Sequence, residues 1–113
     1  MFEDQISQAR DMIRRLETNI GLSSSQFNAL PEASKVRTEE TEGWYNVVRL
    51  AISEAFGANS FELQQWQKTF DDYIKRGDFG PEGHVALRAR QIAVLQELDG
   101  KLKLRKGSTP NIK

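Results

Sequence analysis

Apolar residues along the first twenty positions fall at Phe2, Ile6, Ala9, Ile13, Leu16 and Ile20, spaced by four, three, four, three and four. That rhythm places them on one stripe of an amphipathic helix. Glu3 and Asp4 sit where acids favour the positive helix end, and Gly21 follows as a natural stop. Residues 21–38 lose the period. Their serines, Asn28 and Pro31 predict a loop or a short helical turn, with Leu22, Phe27 and Leu30 touching the core. A second long helix is expected to start between Thr38 and Thr41. Trp44, Val47, Val48, Ala51, Ile52, Ala55 and Phe56 form its wide apolar face, and Gly57 ends it. Asn59 or Ser60 can cap the next helix, on which Leu63, Trp66, Phe70, Tyr73 and Ile74 share one side and Gly77 closes the run.

Pro81 suits the first position of a last helix reaching about Leu104. Here the pattern is double. Val85, Ala89 and Ile92 make one stripe, and Leu87, Val94, Leu98 and Leu102 make another nearly opposite, bridged by Leu95. A helix apolar on two sides must bury two sides. Either it lies centrally in the domain, or one stripe meets a partner. No alternating strand pattern persists and no repeat occurs. The expectation is an all-α bundle of about four helices over residues 1–104, followed by a polar tail or linker over 105–113.

The chain has 113 residues, enough for a single core. Sixteen basic and sixteen acidic groups cancel, so net charge dictates no nucleic-acid or membrane partner. Residues 1–57 carry a balance of −3 and residues 58–113 one of +3, a mild dipole. The lack of cysteine removes disulfides, thiolate nucleophiles and Cys-based metal centres. No apolar run approaches a membrane span, and the charged opening segment is not a secretory signal. A cytoplasmic setting without cofactor or metal is the expectation.

Within "KRGDFGPEGH", residues 75–84, two known tripeptides overlap. Arg76-Gly77-Asp78 spells an adhesion signal, but nothing indicates export. Asp78-Phe79-Gly80 spells a kinase magnesium signature, but the glycine loop, strand lysine and catalytic Asp that give it meaning are missing. A turn between two helices explains the stretch, with Asp78 capping and Phe79 plugging the loop onto the core. His84 is the sole histidine and reads as an ordinary loop or helix-start residue. Asp71-Asp72 and Glu39-Glu40-Glu42 read as solvated helix faces rather than metal ligands. Trp44, Trp66, Phe70 and Tyr73 read as core rather than as a stacking platform. Lys101, Lys103, Arg105, Lys106 and Lys113 form a basic end without acids, which can contact phosphate or complement a helix C-terminus.

The segment "WYNVVRLAISEAFGANSFELQQWQKTF", residues 44–70, resembles helical modules beside TIR-like or predicted nucleotide-binding domains in bacterial antiphage defence proteins. Trp44, Val48, Phe56, Gly57, Ser60, Glu62 and Trp66 carry the likeness. The resemblance implies a helical accessory domain that supports or regulates an effector, with no catalytic residue to carry over. The expectation is therefore a non-enzymatic protein-protein interaction or oligomerisation module. Leu87, Val94, Leu98 and Leu102 are its candidate contact residues. Two alternatives stay open: a small nucleic-acid-binding regulator using Lys101, Lys103, Arg105 and Lys106, and a helical ligand-binding or enzyme domain using His84 or the acidic pairs. An inner cavity lined by convergent polar groups would favour the last.

Overall fold

The computed structural model describes residues 1–31 and 35–108, with side chains as far as Arg105. Its helices are α1 (Glu3–Glu17), α2 (Ser24–Asn28), α3 (Thr38–Phe56), α4 (Phe61–Arg76) and α5 (Pro81–Ser108). No strand occurs among the described residues, and the fold is all-α. The helix beyond the expected four is α2, a single turn held by a reciprocal cap: Gln26 N donates to Ser23 Oγ, and Ser23 N donates to Gln26 Oε1. Its product is one buried anchor, Phe27.

Helix α1 has no capping side chain of its own. The Asp99 carboxylate on α5 takes that role by accepting from Phe2 N at 3.0 Å. A backbone donor left over at a helix start is thereby satisfied from another helix, and a negative charge meets the positive end. The helix stops at Glu17, earlier than Gly21 suggested, because Thr18 Oγ1 donates to Arg15 O and the chain tightens through Asn19 N to Leu16 O. Gly21, at φ 101°, then donates its N–H to Glu82 on the first turn of α5.

Helix α3 buries a narrower stripe than its sequence suggests: Trp44, Val48 and Ile52 are buried, whereas Val47 is 55% exposed. Successive residues on a helix point ~100° apart, so Val47 falls off the stripe that Val48 occupies. Ser60, rather than Asn59, caps α4 by accepting from Leu63 N at 3.1 Å. On α4 the buried set is Leu63, Trp66 and Thr69, while Phe70 and Ile74 are largely exposed.

Helix α5 buries one broad side rather than the two that its double stripe predicted: Ala89 is exposed and Val85 half-buried. It packs against both α1 and α4, and Leu87, Val94, Leu95 and Leu98 are buried together with Arg88, Gln91 and Ile92. At ~100° per residue these positions cover nearly half the circumference. Ile92, Val94, Leu95 and Leu98 join Phe2, Ile6, Ala9 and Met12 of the α1 segment and the tryptophans of α3 and α4 in one core. Leu102 is partly buried and packs on the same core. The stripe of Leu87, Val94, Leu98 and Leu102 is therefore interior to this chain and not the partner surface expected of it. Each such side chain contributes roughly 1.5–3 kcal/mol by leaving water. Past Leu104 the helix continues to Ser108; the rest of the expected tail lies outside the described residues.

Candidate ligand-binding site

The join between α4 and α5 brings the chemistry together. Gly77 ends α4 in the left-handed region at φ 74°, which glycine enters without steric cost. Asp78 Oδ1 accepts from Gly80 N at 3.3 Å, closing a tight turn. Gly83 on the first turn of α5 then lies directly on the Asp78 backbone. A Cβ there would sit 2.7 Å from Asp78 C, 2.8 Å from Asp78 Cγ and closer still to Asp78 O. The overlapping tripeptides are thus the letters of a helix junction. Phe79 does not plug it: the ring is 39% exposed and rests edge-on against Tyr73, 5.4 Å between centroids. Among the described residues no three His, Asp or Glu side chains converge as metal ligands.

This close approach sets His84 between two rings, Phe27 at 5.4 Å and Tyr73 at 5.5 Å. Tyr73 Oη and His84 Nε2 lie 3.3 Å apart. Burial, followed by the nearby Arg88 charge, holds the imidazole pKa below its usual 6.5, with Asp78 opposing more weakly. His84 is therefore neutral at pH 7. Burial likewise raises the Tyr73 phenol, so its hydroxyl keeps its proton. The hydroxyl of Thr69 donates to Trp66 O instead of facing the imidazole. Among the described residues no Ser, Thr or carboxylate is hydrogen-bonded to His84 as a nucleophile or orienting acid would be.

Beside His84 opens a cavity of about 320 Å³ between α2, α3, α4 and α5, walled by Phe27, Val36, Phe70, Tyr73, Leu87 and Arg88. A smaller cavity of about 130 Å³ adjoins it, bounded by Tyr45, Asn46 and Gln91. Thr41, Glu42, Phe70 and Arg88 line both.

Arg88 is the unusual member. It is only 3% exposed, and burial pulls its pKa down to about 10. Nη1 donates to Gln91 Oε1, Gln91 Nε2 donates to Thr69 Oγ1 at 3.2 Å, and Thr69 Oγ1 donates to Trp66 O at 2.7 Å. This relay fixes the amide of Gln91 and, through it, the guanidinium. The Trp44 ring lies 5.3 Å from the guanidinium carbon. No carboxylate among the described residues forms an ion pair with Arg88. The sequence reading passed over it because a charged residue beside Leu87 reads as solvent-facing. The helical projection held the signal, since Arg88 falls in direction between Leu95 and Ile92, inside the apolar arc.

The remaining candidates are engaged elsewhere. Lys101 Nζ bonds Glu62 at 3.0 Å and lies over Phe61, while Arg105 donates to Ala55 O near the end of α3 and stacks on Phe56. These two cations complement helix ends and neighbours within the chain. Lys103 is exposed, and the side chains of Lys106 and Lys113 lie outside the described residues. Glu40 takes both ends of the Arg15 guanidinium, at 2.5 and 3.2 Å, bridging α1 to α3. Asp72 pairs with Lys68 one turn earlier at 3.0 Å. Trp44 and Trp66 are core and meet edge-to-face, but Tyr45 and Phe70 extend the aromatic run outward to the cavity. No helix is long and apolar enough to cross a membrane among the described residues. In comparisons with protein-family models, curated proteins and solved structures, the chain matches none.

Proposed function

We propose that this chain is a binding module for a small organic ligand, held in the cleft that α2, α3, α4 and α5 surround. The observation that carries the reading is the cavity of about 320 Å³ beside His84, walled by aromatic rings and floored by a buried cation. Sites for small molecules combine an apolar, concave wall with a few fixed polar groups, and this volume lies at the lower end of their range. The relay from Trp66 O to Arg88 supplies the fixing. The neutral His84–Tyr73 pair adds hydrogen-bonding capacity without a nucleophile, which favours binding over catalysis.

The interaction-module reading named Leu87, Val94, Leu98 and Leu102, and their place in the chain's own core removes its argument. A ligand-binding unit also suits the accessory role that the resemblance of residues 44–70 implies, with the helical unit sensing a small molecule for an effector. The test is a ligand-detected NMR screen of small aromatic compounds against the wild-type chain and Thr41→Trp, whose indole would fill the junction of the two cavities. Binding lost in the variant, with its helical circular dichroism retained, supports the reading. Binding indifferent to that substitution, or no binding, overturns it.

A further inference from the structure

Arg88 gives the proposed site a chemical preference. A guanidinium has five N–H donors, and Arg88 uses one of them, to Gln91, in its only hydrogen bond among the described residues. The residue is nonetheless 97% removed from solvent, and its position lines both adjoining cavities. Buried charges are ordinarily paired, because water that has been stripped away must be replaced by an opposite charge or by hydrogen bonds. Trp44 and Gln91 hold the group in place but neither neutralises it. Tyr73 keeps its own proton and carries no charge, and no carboxylate among the described residues supports the charge of Arg88. The cavity thus contains a fixed positive charge with unused donors, surrounded by the rings of Phe27, Phe70 and Tyr73.

We infer that the ligand is a small monoanionic carboxylate on a flat aromatic body, its two oxygens bound by the Arg88 guanidinium and its body packed between the rings of the cleft. The inference rests on the ligand-binding reading above and specifies its ligand. A carboxylate matches the planar fork of an arginine through two parallel hydrogen bonds. One charge is the appropriate number. Among the described lining residues Lys35 and Glu42 carry opposite formal charges and His84 is neutral, which leaves the charge of Arg88 as the net balance. A phosphate dianion would bring a second negative charge beside Glu42, with Arg88 as the one buried cation lining the cavity to meet it.

Matched pairs of compounds separate this claim from the general one. Isothermal titration at pH 7 with benzoate against benzamide, and indole-3-acetate against indole-3-acetamide, holds shape constant and changes only the charge. Each acid is expected to bind the wild-type chain at least tenfold more tightly than its amide. In Arg88→Met the two members of each pair are expected to bind equally. The wild-type comparison stands by itself if that variant does not fold. Amides that bind as well as the acids overturn the carboxylate inference and leave the ligand-binding reading intact. Acids favoured equally in wild type and a folded Arg88→Met place the anion elsewhere and overturn the role of Arg88. Absence of binding by all four compounds overturns the inference for aromatic carboxylates.

Discussion

Replacing Gly83 by alanine adds one methyl group at the point where α5 rests on the turn before it. That methyl would stand 2.7 Å from Asp78 C and 2.8 Å from Asp78 Cγ. Unbonded carbons settle near 3.5–4.0 Å, so the overlap is about 1 Å against backbone, which no side-chain rotation relieves. Alanine's better helix propensity returns at most about 1 kcal/mol. Overpacking of this kind costs about 1–3 kcal/mol or more, and a backbone obstacle belongs at the upper end. A net loss of about 2 kcal/mol is expected, or roughly 8–16 °C in Tm at the 4–8 °C per kcal/mol typical of domains this size. Gly100, on the same helix, is the control. Nothing lies within 4 Å of a Cβ there, so Gly100→Ala should gain about 0.5–1 kcal/mol. Urea and thermal unfolding followed at 222 nm would measure both. Because His84 follows Gly83 directly, the first variant should also disturb the Tyr73–His84 approach, visible in the His84 imidazole NMR signals. A Gly83→Ala protein within 0.5 kcal/mol of wild type would refute the close approach and the placing of His84 built on it.

Three further outcomes are expected. Leu98→Ala should cost about 2–5 kcal/mol by denaturant unfolding, the range for emptying a core leucine site, and Leu98→Glu should unfold the chain rather than merely alter its association state in sedimentation. Asp99→Ala should cost about 0.5–2 kcal/mol, as the loss of a cap does, with early amide exchange confined to the first turn of α1. The third concerns pH. His84 is held neutral by burial, so its pKa is lower folded than unfolded. The unfolded chain then binds more protons below about pH 6.5, and the stability present above that pH must fall as the solution is acidified. With one histidine in the chain, the slope of unfolding free energy between pH 6.5 and 5 should flatten in His84→Gln. The paired carboxylates Glu40, Glu62 and Asp72 have lowered pKa values and lose their contribution only at more acidic pH. An unchanged slope in His84→Gln would place the acid-sensitive group elsewhere.

The sequence announced the helices because its signals are local. Ser60 beside an apolar run, Gly57 and Gly77 after one, and Pro81 before one act within a turn of where they stand. Periodicity was less informative about which apolar residues are buried. Val47, Phe70 and Ile74 keep the helical rhythm of their neighbours yet face outward, since burial depends on which helix lies opposite. The double stripe of α5 overstated its burial: Leu87, Val94, Leu95 and Leu98 are buried with Ile92 on one broad side, but Ala89 is exposed and Val85 half-buried. The α1 segment covers much of that side, through Phe2, Ile6, Ala9 and Met12. Asp99 capping α1 across 97 residues of sequence leaves no local trace. His84 was legible as a loop or helix-start residue, whereas its approach to Tyr73 and Phe27 depends on Gly83 and on the one-turn α2. Arg88 was written in the pattern as a charge inside an apolar arc. Its meaning emerged only with the cavity and with the lack, among the described residues, of a carboxylate ion-paired to it.

The central claim is that Arg88 stands as a buried, uncompensated cation facing a ligand cavity. NMR of the arginine side-chain Nε–Hε groups at pH 7, with and without indole-3-acetate, tests it most directly. The prediction is an arginine signal protected from rapid exchange in the free chain, lost in Arg88→Met, that moves on adding the carboxylate while the exposed arginines Arg10, Arg14 and Arg76 hold still. An Arg88 signal that exchanges as fast as theirs, or that ignores the carboxylate, would contradict it.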